Sequence, residues 1–232
     1  MIRDKYKDKS YFDSYISYEM QRILKFEDLI AKVIKERGED QAVKRARLSV
    51  FHFKINLLTA SYSRGDSFDE IKLHLNAAID FMTSINISHS YVETLWILSM
   101  GILLDVPSAS IDIIISVIER DILQDHLLDY LIAFKKDQRP ITDKILFEKP
   151  YKIITEAIKL NTGEVEKKIK FYLEKYWYSG HKDCGWYDSH KSKSDTYSGY
   201  WSFETAAIVK IMNLDDGDFK DYQYYPQDLL NF

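Results

Sequence analysis

Apolar residues recur at intervals of three and four along almost the whole 232-residue chain, and that period commits it to amphipathic helices. A helix gathers such residues on one side, whereas a strand would alternate them every second position. Phe12, Ile16, Met20, Ile23, Leu24, Phe26, Leu29, Ile30, Val33 and Ile34 form a first stripe, closed by Gly38. A second helix, from Gln41 to Ser63, turns Val43, Leu48, Phe51, Ile55 and Leu58 inward, and Arg64-Gly65-Asp66 stops it. Asp66 is placed to N-cap a third helix carrying Ile71, Leu75, Ala78, Ile79 and Met82. Ser90 with Glu93 matches a capping box ahead of residues 95–98. Pro107 fits the first turn of a further helix, which buries Ile111, Ile114, Ile115 and Ile118. The run Ile113-Ile114-Ile115 also suits a buried strand, but no neighbouring segment offers it a partner, so helix is preferred.

Composition agrees. Only 8 Gly and 4 Pro disfavour a turn-rich β fold, and 46% apolar with 29% charged residues is ordinary for a soluble protein. Gln138-Arg139-Pro140-Ile141 is the best linker candidate. The expected fold is therefore all-α, with an N-terminal helical bundle in residues 1–138 and a C-terminal helical domain in residues 139–232. In the latter, a short helix is expected near Thr142, and Pro150 opens another over residues 151–160. Thr162-Gly163-Glu164 caps a long helix through Tyr178, with Val165, Ile169, Tyr172, Leu173 and Tyr176 on one face. Successive helices with short connections read as antiparallel neighbours.

Charge narrows the partners. The net charge is −4, which argues against wholesale nucleic-acid binding. Residues 1–64 hold 14 Lys/Arg against 9 Asp/Glu, net +5, while residues 195–232 hold 2 against 7, net −5. The charged N-terminus lacks an apolar signal core, and the longest apolar region, residues 95–104, is too short to span a bilayer. A lone cysteine, Cys184, excludes an internal disulfide and fits a reducing compartment, so a cytoplasmic location without membrane contact is expected.

Residues 179–197 break the helical pattern with a polar run that holds His181, Cys184, Trp186, Tyr187, Asp188 and His190. Such a loop is commonly functional or disordered, and Trp186 and Tyr187 argue for partial docking. The spacing of His181, Cys184 and His190 lacks the fourth ligand of a structural zinc site, so no metal and no cofactor is expected. Cys184 with His181 as nucleophile and base, a small hydrolase, is the catalytic alternative, without an evident orienting group. A solvated loop is preferred. No phosphate loop, nucleophile elbow or zinc-protease motif occurs, so catalysis is not expected.

The densest signature lies nearer the C-terminus. Gly199, Tyr200, Trp201, Phe203 and Glu204 run into the helix formers Ala206 and Ala207, and a helix over residues 199–210 is expected. An acidic turn comes next with Asp215, Asp216, Gly217, Asp218 and Asp221, then Tyr224-Tyr225-Pro226-Gln227-Asp228-Leu229. A carboxylate among aromatics needs a hydrogen-bond partner, so Glu204 is read as structural. The acids lack the alternating ligands of a calcium loop. They read first as a helix C-cap, with Gly217 left-handed, and second as partners for basic residues of another protein.

These three segments, a G-Y-W-x-F-E-x-A-A helix start, a D-D turn and a Y-Y-P-x-D-L ending, resemble the C-terminal domain of the PoNi-type immunity proteins. The upstream helical region has about the length that family requires. The resemblance implies a protein that shields bacteria from polymorphic DNase toxins of the PoNe type, delivered by contact-dependent secretion. It implies one partner, a cognate nuclease toxin, and casts Gly199, Tyr200, Trp201, Phe203, Glu204, Tyr225, Pro226 and Asp228 as structural signature residues. Charge and aromatic content nominate Asp215, Asp216, Asp218, Asp221, Trp186, Tyr187 and Asp188 as toxin contacts. A helical interaction adaptor is the other alternative. The oligomeric state is left open, a homodimer included.

Overall fold

A 29-residue amphipathic helix, α1 (Lys9–Arg37), opens the fold and packs against α2 (Gln41–Arg64), which in turn packs against α3 (Phe68–Met82). The structure is a computed structural model that describes residues 1–136 and 139–230; Gln138 of the expected linker lies outside them. The next helices are α4 (Tyr91–Leu103), α5 (Ser108–Arg120), α6 (His126–Lys135), α7 (Glu148–Ala157), α8 (Thr162–Phe171), α9 (Trp177–Gly180) and α10 (Phe203–Met212). Among the described residues there is no strand, and no helix is long and apolar enough to cross a membrane.

The chain divides into two compact units, Met1–Glu93 with Asp188–Gly199, and Thr94–Tyr187 with Tyr200–Phe232. The first is thus completed by a short segment from far along the sequence. Within it, Tyr11 Oη donates to the Tyr197 carbonyl and accepts from the Tyr197 amide, each at 2.9 Å. Ser63 Oγ reaches the Ser198 carbonyl at 2.8 Å, and the Tyr197 phenol donates to Asp4. Gly65 closes α2 with φ +90°, and a Cβ there would lie 1.8 Å from the Met1 carbonyl oxygen. Glycine alone permits that approach.

Local chemistry sets the helix ends. Asp8 and Asp40 accept from the amides of Tyr11 and Val43, as N-caps do. Ser67, rather than Asp66, caps α3, in a reciprocal capping box with Glu70. Asp66 instead binds the Arg64 guanidinium at 2.6 Å. Pro107 sits one residue before α5 rather than within its first turn. The stripe on α5 turns slightly from the expected one: Val117 is buried and Ile115 only half-buried.

The first stripe is narrower than the sequence suggests. Phe12, Ile16, Ile23 and Ile30 are buried, whereas Met20, Leu24 and Leu29 are exposed, because a single partner helix covers only part of an apolar arc.

In the second unit no helix forms near Thr142; its amide is used by the Asp129 carboxylate at 3.1 Å, and Arg139 bridges Asp129 and Glu119 at 2.8 Å each. The helix after Asn161, which is the actual N-cap, does not run evenly to Tyr178. Residues Tyr172–Tyr176 form a π turn in which the Trp177 amide bonds the Tyr172 carbonyl. The wider turn, with its i to i+5 bond, rotates every side chain beyond it about the helix axis. Trp177 is therefore buried and Tyr176 is exposed, the reverse of the regular helical reading.

Candidate functional site

Glu204 is the polar centre of the second unit. Tyr200 to Ser202 precede α10, which starts at Phe203, so the helix begins four residues later than expected and Glu204 lies in its first turn. The residue is fully buried. Its Oε1 accepts from Trp177 Nε1 at 2.7 Å, Ser202 Oγ at 2.8 Å and Tyr172 Oη at 3.2 Å. Its Oε2 has no partner among the described residues. Burial pushes the carboxyl up to about 7, against the lowering pull of its own helix-terminal amide and those three donors. Those side-chain donors are neutral, so the charged form gains no cation to offset its burial. The arrangement is a buried bracket tying α8's extension to α10.

The other signature segments meet there. The Ser202 amide donates to the Tyr224 carbonyl at 2.8 Å, joining the start of α10 to the Tyr-Tyr-Pro ending. Tyr200, Trp201, Phe203, Tyr225 and Pro226 are buried, and Asp228 lies half-buried in a 3-10 turn, Gln227–Leu230. Gly199, at φ +126°, ends the segment belonging to the first unit. At the far end of α10, Asn213 takes the left-handed cap expected of Gly217. The Gly217 amide instead donates to the Asp215 side chain at 2.9 Å. The Lys210 ammonium reaches the Leu103 carbonyl at 2.8 Å, which anchors α10 on α4.

The polar segment after α9 docks in its first half, around His181, Trp186 and Ser189, while residues 191–196 are exposed as a solvated loop would be. His181 is buried; its Nδ1 lies 2.6 Å from the Trp177 carbonyl and its Nε2 2.8 Å from Tyr151 Oη. A carbonyl only accepts, so Nδ1 carries the proton and Nε2 accepts from the tyrosine. Burial, only partly offset by the Trp177 carbonyl, lowers the imidazole to about 4, leaving it neutral at physiological pH. With both nitrogens engaged, His181 offers neither a base to Cys184 nor a lone pair to a metal. Among the described residues no three His, Cys, Asp or Glu gather as a metal set.

Trp186 and Tyr187, both half-buried, dock in different ways. Trp186 is spent on packing, with ring centroids 5.0 Å from His181, 5.5 Å from Tyr200 and 5.7 Å from Trp177. Tyr187 ends a stack: it lies 4.6 Å from Tyr178, which lies 5.1 Å from Tyr224 at 9°. All three rings are half-exposed. Sequence reasoning nominates neither Tyr178 nor Tyr224 as a contact, and no local spacing pairs residues so distant along the chain.

Asp215, Asp218 and Asp221 are exposed and Asp216 is half-buried. Burial and the nearby Asp216 carboxylate hold the Tyr225 phenol above its ordinary range. The structure thus brings Tyr187 and the acid-bearing C-terminal segment into one unit through Tyr178 and Tyr224. Asp188 is assigned to the first unit, where it pairs with Lys191 at 3.0 Å.

Known proteins decide the relationship. Residues 3–116 match the N-terminal domain, and residues 123–229 the C-terminal domain, of the PoNe immunity proteins (PoNi). The chain belongs to the PoNi family. Its fold is also that of a solved structure, protein PA2201 from Pseudomonas aeruginosa, with a TM-score of 0.75 at 17% identity, over 99% of this chain and 89% of that one. No curated protein matches the sequence. This PoNi protein is an immunity protein whose second unit carries the buried glutamate bracket, the tyrosine stack and the acidic segment.

Proposed function

We propose that this PoNi protein neutralises a cognate DNase toxin by stoichiometric binding in the cytoplasm, without catalysis, through the exposed face of its second unit. The observation that carries the reading is the segment of residues 214–221, where four carboxylates stand against one lysine. DNases grip phosphates with Lys and Arg, so a clustered set of carboxylates competes for the same cations. The engaged ring nitrogens of His181 support a binding role over a Cys184-based hydrolase.

The test changes Asp215, Asp216, Asp218 and Asp221 together to Asn. Association with the toxin encoded beside the gene should slow about tenfold at low salt and converge with wild type as salt rises, because exposed charges act by steering over a Debye length of about 8–10 Å. Folding should survive with a loss of about 1 kcal/mol, since Asp215 accepts the Gly217 amide and Asp216 is half-buried beside Tyr225, while Asp218 and Asp221 are exposed. Parallel salt dependences for the two proteins would remove the acidic segment from the contact face.

A further inference from the structure

Within the first unit, α1 and α3 both pack on α2, and a groove runs between them. Ile23 and Leu57 floor it; Met20 and Leu24 stand on the α1 side, His74 and Ala77 on the α3 side. Lys54 fixes the level of the two sides, reaching Glu27 of α1 at 2.9 Å and lying 5.1 Å from the Phe81 ring of α3. The groove is open to solvent: Met20 is 48% and Leu24 62% exposed, and Ala77 is exposed with Leu73, one turn before it, at 69%. Its volume of about 250 Å³ falls below the roughly 300–1,000 Å³ of small-molecule pockets, so it suits side chains presented by a larger partner.

Charge selects that partner. Every cation beside the groove is already engaged. Lys54 pairs with Glu27, Arg64 with Asp13 at 3.0 Å and Asp66 at 2.6 Å, and Lys9 with Asp13 at 3.1 Å. Burial lowers the His74 imidazole, and Asp66 and Glu70 are the carboxylates near enough to act on it. Asp28, one turn past Leu24, and Asp80, one turn past Ala77, are exposed and have no ion-pair partner among the described residues. Arg22, Lys25 and Lys72 stand one or two positions from groove residues, hence on other sides of their helices. Lys35 lies eight residues, about 12 Å, beyond Glu27. The rim thus sets Asp13, Glu27, Asp28, Asp66, Glu70 and Asp80 against Lys9, Lys54 and Arg64.

We propose that this groove receives an amphipathic basic helix of a protein partner. Its apolar ridge sits against Met20, Leu24 and Ala77, as a fourth helix completes a bundle, and its Lys or Arg side chains meet the acidic rim. From Asp13 to Asp28 α1 rises about 22 Å, so about four turns of the partner reach both ends of the rim. A second copy offering the same groove would set acid against acid, and an anionic membrane would be repelled. This surface is in the first unit and does not rest on the acidic segment of the second.

The experiment titrates the full chain with a labelled helical peptide of about 18 residues, with leucines at the i, i+3, i+4, i+7 spacing and lysines elsewhere, and with its glutamate counterpart. The lysine peptide should bind about tenfold tighter or more and shift the Met20 methyl resonance. Leu24→Asp should weaken it about tenfold although the change adds an acid. Leu29→Asp adds the same charge at an exposed leucine on another side of α1, and should change binding by less than about twofold. Asp28→Asn with Asp80→Asn should cost about two- to fivefold at low salt and less as salt rises. Equal losses from the two leucine variants, or a glutamate peptide that binds as tightly, would overturn the assignment. Self-association of the chain that Leu24→Asp abolishes would give the groove to a second copy and overturn it too. No toxin enters these titrations, so their outcome is separate from that of the neutralisation test.

Discussion

Each unit buries a glutamate completely, and each compensates it differently. In the first, Glu19 of α1 accepts from Arg22 at 2.9 Å, one helical turn away, while the Arg22 guanidinium also sits 3.6 Å from the Phe53 ring centroid. In the second, Glu204 is held only by neutral donors, two of them from residues 27 and 32 positions distant. Burial raises both carboxyls, but at Glu19 the arginine charge opposes the rise. The arginine is itself about one-third exposed, so its charge keeps contact with water. A glutamate paired with a part-exposed arginine one turn away tolerates change; a bracket of neutral donors joining two distant segments does not.

The largest test of this contrast is Glu204→Ala. It empties space, leaves the Trp177 indole without its acceptor and takes an acceptor from the Tyr172 and Ser202 hydroxyls, and should cost about 3–5 kcal/mol in a denaturant titration. A loss under about 1 kcal/mol would show that water takes over the bracket.

Next comes pH. The folded carboxyl of Glu204 keeps its proton up to about 7, whereas an unfolded chain releases it near 4.5, so the native state binds more protons between these values. Stability must therefore fall as pH rises from about 4.5 to 7, by about 3 kcal/mol at 1.36 kcal/mol per unit, and level off above. Glu204→Gln should flatten that slope. Superimposable pH profiles for the two proteins would mean that the carboxyl is already ionised in the fold at pH 5.

The smallest effect belongs to the first unit. Glu19→Gln keeps the size and an acceptor, and Arg22 can turn toward solvent, so about 1 kcal/mol is expected to be lost. A cost equal to that of Glu204→Ala would erase the distinction between the two solutions.

Much of the first unit was legible because its determinants are local. Gly38 and Gly65 mark helix ends through contacts within four residues, and Ile71, Leu75 and Met82 repeat at one period on one face. The few errors there, Asp66 for Ser67 and an exposed Leu24, come from neighbouring residues competing for a cap and from how much of an apolar arc its partner covers.

In the second unit the chain by itself determined that it is helical, that its C-terminal end is acidic, and which residues form the family signature. Tertiary structure decided the rest. The π turn puts Trp177 rather than Tyr176 inside, where its indole donates to Glu204. Asn213 rather than Gly217 takes the left-handed cap, His181 leaves the polar segment for the core, and residues 188–199 complete a unit begun at the N-terminus. Periodicity and capping are set by groups a turn apart. Burying a carboxyl or stacking Tyr187 on Tyr178 and Tyr224 depends on groups brought together only when distant segments exclude water in common.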